Sequence, residues 1–119
     1  SEYLRDSTVT IVLIGRCTWS RRFVDWEIAA SLRNTATSKR NGLLAISLPS
    51  VAGALVNLPE RLMDNLLQSS GQSYAQWWEY PSSANNLAGY IEQAYSARTS
   101  LSHLVDNSRQ LSRNNTYCQ

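Results

Sequence analysis

One carboxylate stands out for its place in the chain. Thr8-Val-Thr-Ile-Val-Leu-Ile-Gly15 is followed at once by Arg16-Cys-Thr-Trp-Ser-Arg-Arg-Phe-Val-Asp-Trp-Glu27-Ile28. The first run reads as a buried strand closed by a glycine, and the second as a polar turn launching a helix with Glu27 in its second turn. An acid there lies just beyond the C-terminal end of a parallel strand, where open α/β sheets bind their ligands. Trp19 and Trp26 flank it, and either could stack on a flat ring. Packing between helix and sheet is the expectation for Trp26, and both readings stay open for Trp19. Cys17 and Thr18 sit at the mouth of the strand. His103 is the sole histidine and lies far along the chain, so Cys17 is expected to be a small buried or half-buried thiol rather than a nucleophile. Arg21 and Arg22 fall in the first helical turn. They could meet a pyrophosphate, but they read better as surface charge. Gly15 belongs to no G-x-G-x-x-G or phosphate-loop pattern and reads as a tight-turn residue.

These residues need a small α/β scaffold. The 119 residues fit one domain, 43% hydrophobic and 17% charged, with a net charge of +2. Lys39 is the only lysine, and the arginines are dispersed rather than striped among aromatics, so nucleic acid is not an expected partner. No apolar window is long enough for a membrane span, and no secretory signal is visible. The two cysteines, Cys17 and Cys118, show no metal-ligand spacing and are expected as free thiols in a reducing cytoplasm. No metal site is expected.

The hydrophobic pattern alternates between strands and helices. Residues 8–14 run nearly continuously apolar and β-branched, as a central parallel strand covered on both faces would. Thr18 or Ser20 can cap a helix over 20–33, with Val24, Ile28 and Leu32 buried, Phe23 and Ala30 widening the stripe, and Asp25 outside it. Asn41-Gly42 opens a second strand over 43–48 that stops at Pro49, completing a βαβ unit. Pro59 is placed as the first residue of a helix over 59–69. Tyr74–Tyr80 reads as a short edge strand or an aromatic contact patch. Ser82 or Ser83 caps a helix over 84–104 with Leu87, Ile91, Ala94, Tyr95 and Leu101 inward. The domain is expected to run over 1–106, followed by a loose polar tail over 107–119. Two clear strands are too few for a doubly wound sheet, and a central first strand wants a second neighbour. The chain is therefore expected to lack the first strands of its sheet, either removed or supplied by another chain.

The stretches STVTIVLIG, TWSRRFVDWEI and NGLLAISLP resemble the TIR-like domains of bacterial ThsB type, found in Thoeris anti-phage systems. Phe23 replaces the usual Trp of the helix start, while Val24, Glu27 and Ile28 stand where the pattern wants them. LPERLMDNL, YAQWWEYP and DNSRQL also look like this group. The resemblance implies a flavodoxin-like, TIR-like three-layer α/β fold with a parallel sheet. It implies cleavage of the nicotinamide–ribose bond of NAD, by hydrolysis or by cyclisation to a cyclic ADP-ribose-type signal. NAD would be a substrate, and no cofactor is required. The matching catalytic acid is Glu27. Its carboxylate would stabilise an oxocarbenium-like transition state or engage the ribose hydroxyls. Trp19, Arg16, Thr18 and Arg22 surround it in sequence as substrate-binding candidates. The rest of such a pocket comes from the first strand and the loops after the first two strands. Activity is therefore expected of the full-length parent, while this stretch alone would hold the acid without the nucleotide cradle. Self-association through TIR-like surfaces is a further implied partnership.

A reading of a different class makes the domain a non-catalytic TIR-like interaction module, working through its helix faces and aromatic patch. Phosphoacceptance of response-regulator type has little support, because no aspartate ends either visible strand.

Overall fold

The structure, a computed structural model, describes residues 9–33, 40–51, 57–66 and 72–114. Three parallel strands, β1 (Val9–Ile14), β2 (Gly42–Ser47) and β3 (Gln76–Trp78), lie in the spatial order β1-β2-β3. The register sets Val12 beside Ala45 and Ile14 beside Ser47, and Ala45 beside Trp77 on the other side. Helices α1 (Arg22–Leu32) and α2 (Glu60–Met63) share one side of the sheet, and α3 (Ala84–Ser100) packs on the other. This is the three-layer α/β arrangement expected of a TIR-like fold.

Side-chain alternation along the strands divides the core in two. Val12, Ile14, Leu43 and Ala45 meet Ile28 and Leu32 of α1, together with Leu58, Leu62 and Tyr74. Leu44 and Ile46 meet Ala94 of α3, flanked by Val9, Leu87, Tyr90 and Ile91. All six residues of β2 are buried, the signature of a parallel strand covered on both faces.

That signature was expected of the first strand, and the structure corrects it. Among the described residues β1 pairs only with β2, and its burial alternates. Val12 and Ile14 point into the α1 side, while Ile11 and Leu13 are 40% and 53% exposed on the α3 side. A continuous apolar run reports that a strand is hydrophobic, not that both its faces are covered here. The aromatic stretch resolves as β3, the far edge of the sheet, as a short edge strand was expected to be. There Trp78 stacks on Tyr90 with ring centroids 4.3 Å apart, and the Trp77 indole donates to the Ser47 hydroxyl.

Several helix boundaries move. Neither Thr18 nor Ser20 caps α1. They form a separate 3-10 turn, and the N-cap residue is Arg21, which offers no side-chain bond. Pro59 precedes α2 as its N-cap residue rather than its first helical one. Ser83 does cap α3, its hydroxyl accepting from the Asn86 N–H. Tyr95 is exposed, and Leu101 joins the α1-side core rather than α3's own. Gly42 lets β2 start directly beneath α3, since a Cβ there would press on the Ala94 carbonyl.

Candidate functional site

The turn after β1 is tied down by one hydroxyl. Thr18 Oγ1 accepts from the Gly15 N–H at 2.8 Å and donates to the Leu13 carbonyl at 3.1 Å. Leu13 faces away from β2 with its backbone groups, because Ile14 turns its own carbonyl to the Leu48 N–H. Thr18 thus caps, at its upper end, the edge of β1 that is unpaired among the described residues. Ser20 adds a bond to the Cys17 carbonyl. This brings Arg16, Thr18 and Trp19 into the turn just before α1, with Trp19 half-buried and Arg16 exposed.

Glu27 lies on the exposed side of α1. Among the described residues its carboxylate makes no hydrogen bond and no ion pair. The α1 residue one turn further on, Ser31, shares a hydroxyl bond with Thr10 of β1 at 2.6 Å. This fixes the part of the helix bearing Glu27 above the outer strand. Arg22 donates to the Arg113 carbonyl at 3.0 Å and lies over the rings of Phe23 and Trp26. Phe23 and Ala30 do not widen the buried stripe as expected but face out, Phe23 at 58% exposure.

Trp26 does not wedge between helix and sheet, as packing statistics suggested. Its indole N–H donates to the Ser112 carbonyl at 2.8 Å, and its ring meets Phe23 edge-on. With Gln110, Leu111, Ser112 and Arg113 it lines an open groove of about 500 Å³. Glu27 is not part of that lining. The helix side facing the tail and the side carrying the acid are distinct.

The largest departure from expectation is Asp25. Placed outside the buried stripe by its spacing, it is buried and holds Arg61 of α2 in a two-pronged contact, Nε–Oδ1 2.9 Å and Nη2–Oδ2 3.2 Å. Burial pushes the Asp25 carboxyl up. The Arg61 side-chain bonds, the Ser112 N–H and the Arg61 charge outweigh that, so its pKa lies below the ordinary 3.8. The same guanidinium reaches Asn107 Oδ1 and the Gln110 carbonyl. Nothing in either local sequence marks these partners. Asp25 falls at the margin of a helical stripe, and the arginine that neutralises it is 36 residues away.

Cys17 is disulfide-bonded, against the expectation of a free thiol, and Cys118 lies outside the described residues. Among the described residues no cluster of three or more His, Cys, Asp or Glu is placed to hold a metal ion, and no helix is long and apolar enough to cross a membrane.

No curated protein and no solved structure gives a significant match to this chain. Over residues 1–52 it matches the family model of the Thoeris protein ThsB, TIR-like domain. That span, a little under half of the chain, takes in β1, the Thr18 turn, α1 with Glu27, and β2, so the similarity covers the stretch holding the candidate site.

Proposed function

We propose that the protein is a TIR-like domain that cleaves or cyclises NAD to make a cyclic ADP-ribose-type signal in bacterial anti-phage defence, with Glu27 as its acid. The observation that carries this reading is the ThsB-type match over residues 1–52. Support comes from the geometry of the acid: an accessible carboxylate without a counter-charge among the described residues, on the helix that follows a parallel strand. In the proposed step the bond between ribose C1′ and the nicotinamide nitrogen breaks and neutral nicotinamide leaves with the bonding pair. Positive charge develops on the ribose ring, and the Glu27 carboxylate stabilises it. Water or a nucleophile of the adenosine moiety then bonds to C1′. Arg16 supplies charge for the pyrophosphate, and Trp19 a stacking face for a ring. The Thr18 hydroxyl, already bonded on both sides, keeps the turn in place, and Arg22 is occupied by the tail. The protein acts in the cytoplasm, where NAD is available.

Glu27→Gln is expected to abolish nicotinamide release from NAD by the full-length protein while leaving the thermal midpoint within about 1–2 °C, since an exposed side chain away from any bonded network contributes little to stability. Turnover at the unsubstituted rate would remove Glu27 from the reaction. A second reading, a non-catalytic TIR-like interaction module, is favoured by the open strand face of Ile11 and Leu13 and by the absence of Glu27 from the Trp26 groove. It predicts no nicotinamide release from the unsubstituted full-length protein under any trigger, together with saturable self-association lost on Leu13→Lys.

A further inference from the structure

Helix α1 carries an outward stripe. Phe23, Trp26, Ala30 and Arg33 recur at three- and four-residue spacing, which sets them along one line of the helix. All four are exposed, Phe23 at 58% and Trp26 at 39%. Beside this stripe residues 110–113 form a wall, and the groove of about 500 Å³ lies between the two, with Leu111 51% exposed in its lining. The wall is held from inside. Buried Arg61 donates to the Gln110 carbonyl, Asp25 accepts from the Ser112 N–H, the Ser112 carbonyl accepts from the Trp26 indole, and the Arg113 carbonyl accepts from Arg22. Asn65 fixes the approach to it by bonding both the N–H and the carbonyl of Asp106. The charges bordering the groove are mostly of one sign. Arg113 lines it, Arg33 ends the stripe and Arg21 is exposed at the head of α1. Among the described residues none of these three forms an ion pair. The Arg22 guanidinium lies 5.2 and 5.4 Å from the Phe23 and Trp26 ring centroids, and neither ring carries a negative charge. Nearby acids are already engaged, Asp25 by Arg61, and Asp64 and Glu60 by Arg109. Glu27 is exposed but takes no part in the lining.

We propose that the groove between α1 and residues 110–113 docks an acidic amphipathic helix of a partner protein. Clustered exposed aromatic and aliphatic side chains with a polar rim mark a contact surface. Phe23 to Ala30 spans about 10 Å of helix, enough for two turns of a partner to lie alongside. The partner's apolar stripe fills the groove over Trp26 and Leu111 and meets Phe23, and its flanking carboxylates pair with Arg113 and Arg33. The uneven charge selects an acidic partner and speeds its approach. A helix suits the site better than an extended peptide. The Gln110, Ser112 and Arg113 carbonyls and the Ser112 N–H are bonded within the domain, so an added strand meets few main-chain groups, whereas a helix satisfies its own. A second copy of this chain presents the same basic margin, and like charges would meet. A lipid surface is flat and does not fill a walled groove. Because the wall is bonded in place, docking orders little on this side. The site lies on the α1 side of the sheet, opposite the exposed Ile11 and Leu13, and does not depend on Glu27 being catalytic.

The test uses the full chain and a fluorescein-labelled peptide of about five helical turns, with leucines along one stripe and glutamates on its margins. Fluorescence anisotropy is expected to show saturable binding that weakens on the order of tenfold between low and high salt. The same peptide with lysine for every glutamate, and a permuted peptide without the stripe, are each expected to bind at least about tenfold more weakly. Phe23→Ser and Arg113→Glu are expected to lower affinity for the acidic peptide by a similar factor, roughly tenfold each. Both side chains are free to change without loss of the wall, since Phe23 is exposed and Arg113 is held through its carbonyl. Leu13→Lys, on the opposite side of the sheet, is expected to leave peptide binding unchanged, and circular dichroism checks that all three variants are folded. No binding of the acidic peptide, equal binding of its lysine counterpart, or affinity indifferent to both Phe23→Ser and Arg113→Glu would each overturn the proposal. So would a dimer of the chain that Phe23→Ser dissociates, which gives the face to a second copy, or capture by phosphatidylserine vesicles in place of the peptide, which gives it to a lipid surface.

Discussion

Two carboxylates on one helix have opposite fates, and environment alone separates them. Glu27 is exposed and unbonded among the described residues, whereas Asp25, two positions earlier, is buried against Arg61. An unpaired charge in that place is expensive, so Arg61→Leu is expected to destabilise the protein by about 3–5 kcal/mol in urea unfolding. Asp25→Leu added to it is expected to restore part of the loss, because the uncompensated charge is then gone. The pH dependence follows from the same pair. The folded-state pKa of Asp25 lies below its ordinary 3.8, so its stabilising contribution is full above the ordinary value and fades as pH falls through the folded one. Thermal midpoints measured from neutral into strongly acid solution are expected to fall more gently for Asp25→Asn than for the unsubstituted protein. Parallel curves would assign the acid sensitivity elsewhere.

At the scale of elements, the sheet and α3 are pressed together at one glycine. A Cβ on Gly42 would collide with the backbone of Ala94 rather than with a side chain able to swing aside. Gly42→Ala is expected to cost about 1–3 kcal/mol by forcing β2 and α3 apart, read as a drop in thermal midpoint. Gly89, inside α3, meets open space instead, and Gly89→Ala is expected to stabilise the protein by up to about 1 kcal/mol through helix propensity. The two substitutions add the same methyl group and differ only in what it meets. Helix α1 shows a related division. Its buried line of Ile28 and Leu32 follows from spacing, but its start is set by the Thr18 turn, whose hydroxyl serves the end of β1 instead of the helix.

At the scale of the whole molecule, the sheet is unevenly covered. Helix α3 lies across β2 and reaches Val9, leaving Ile11 and Leu13 exposed beside a strand edge that is unpaired among the described residues. An edge of this kind is a template for further strand pairing. Leu13→Lys is expected to reduce concentration-dependent association measured by light scattering while leaving the far-ultraviolet circular dichroism unchanged. Association that is insensitive to the substitution would place the contact on another surface, such as Phe23 and Met63.

Much of this architecture could be read from the chain because it is local. The run Thr8–Gly15, the four-residue spacing of Val24, Ile28 and Leu32, the stop at Pro49 and the Ser83 cap each depend on neighbours a few residues away, and these elements formed near their expected places. The family resemblance likewise rested on contiguous segments, and the matched span coincides with the most legible part. Tertiary structure alone decided which strand became the buried one, that Asp25 would find Arg61, that Trp26 would serve the tail, and that Cys17 would be bonded. Each is a contact between segments far apart in sequence, and the charge or polarity of a residue does not say which distant partner will cancel it. Residue type and period set what each segment must bury; only the packed chain settles against what.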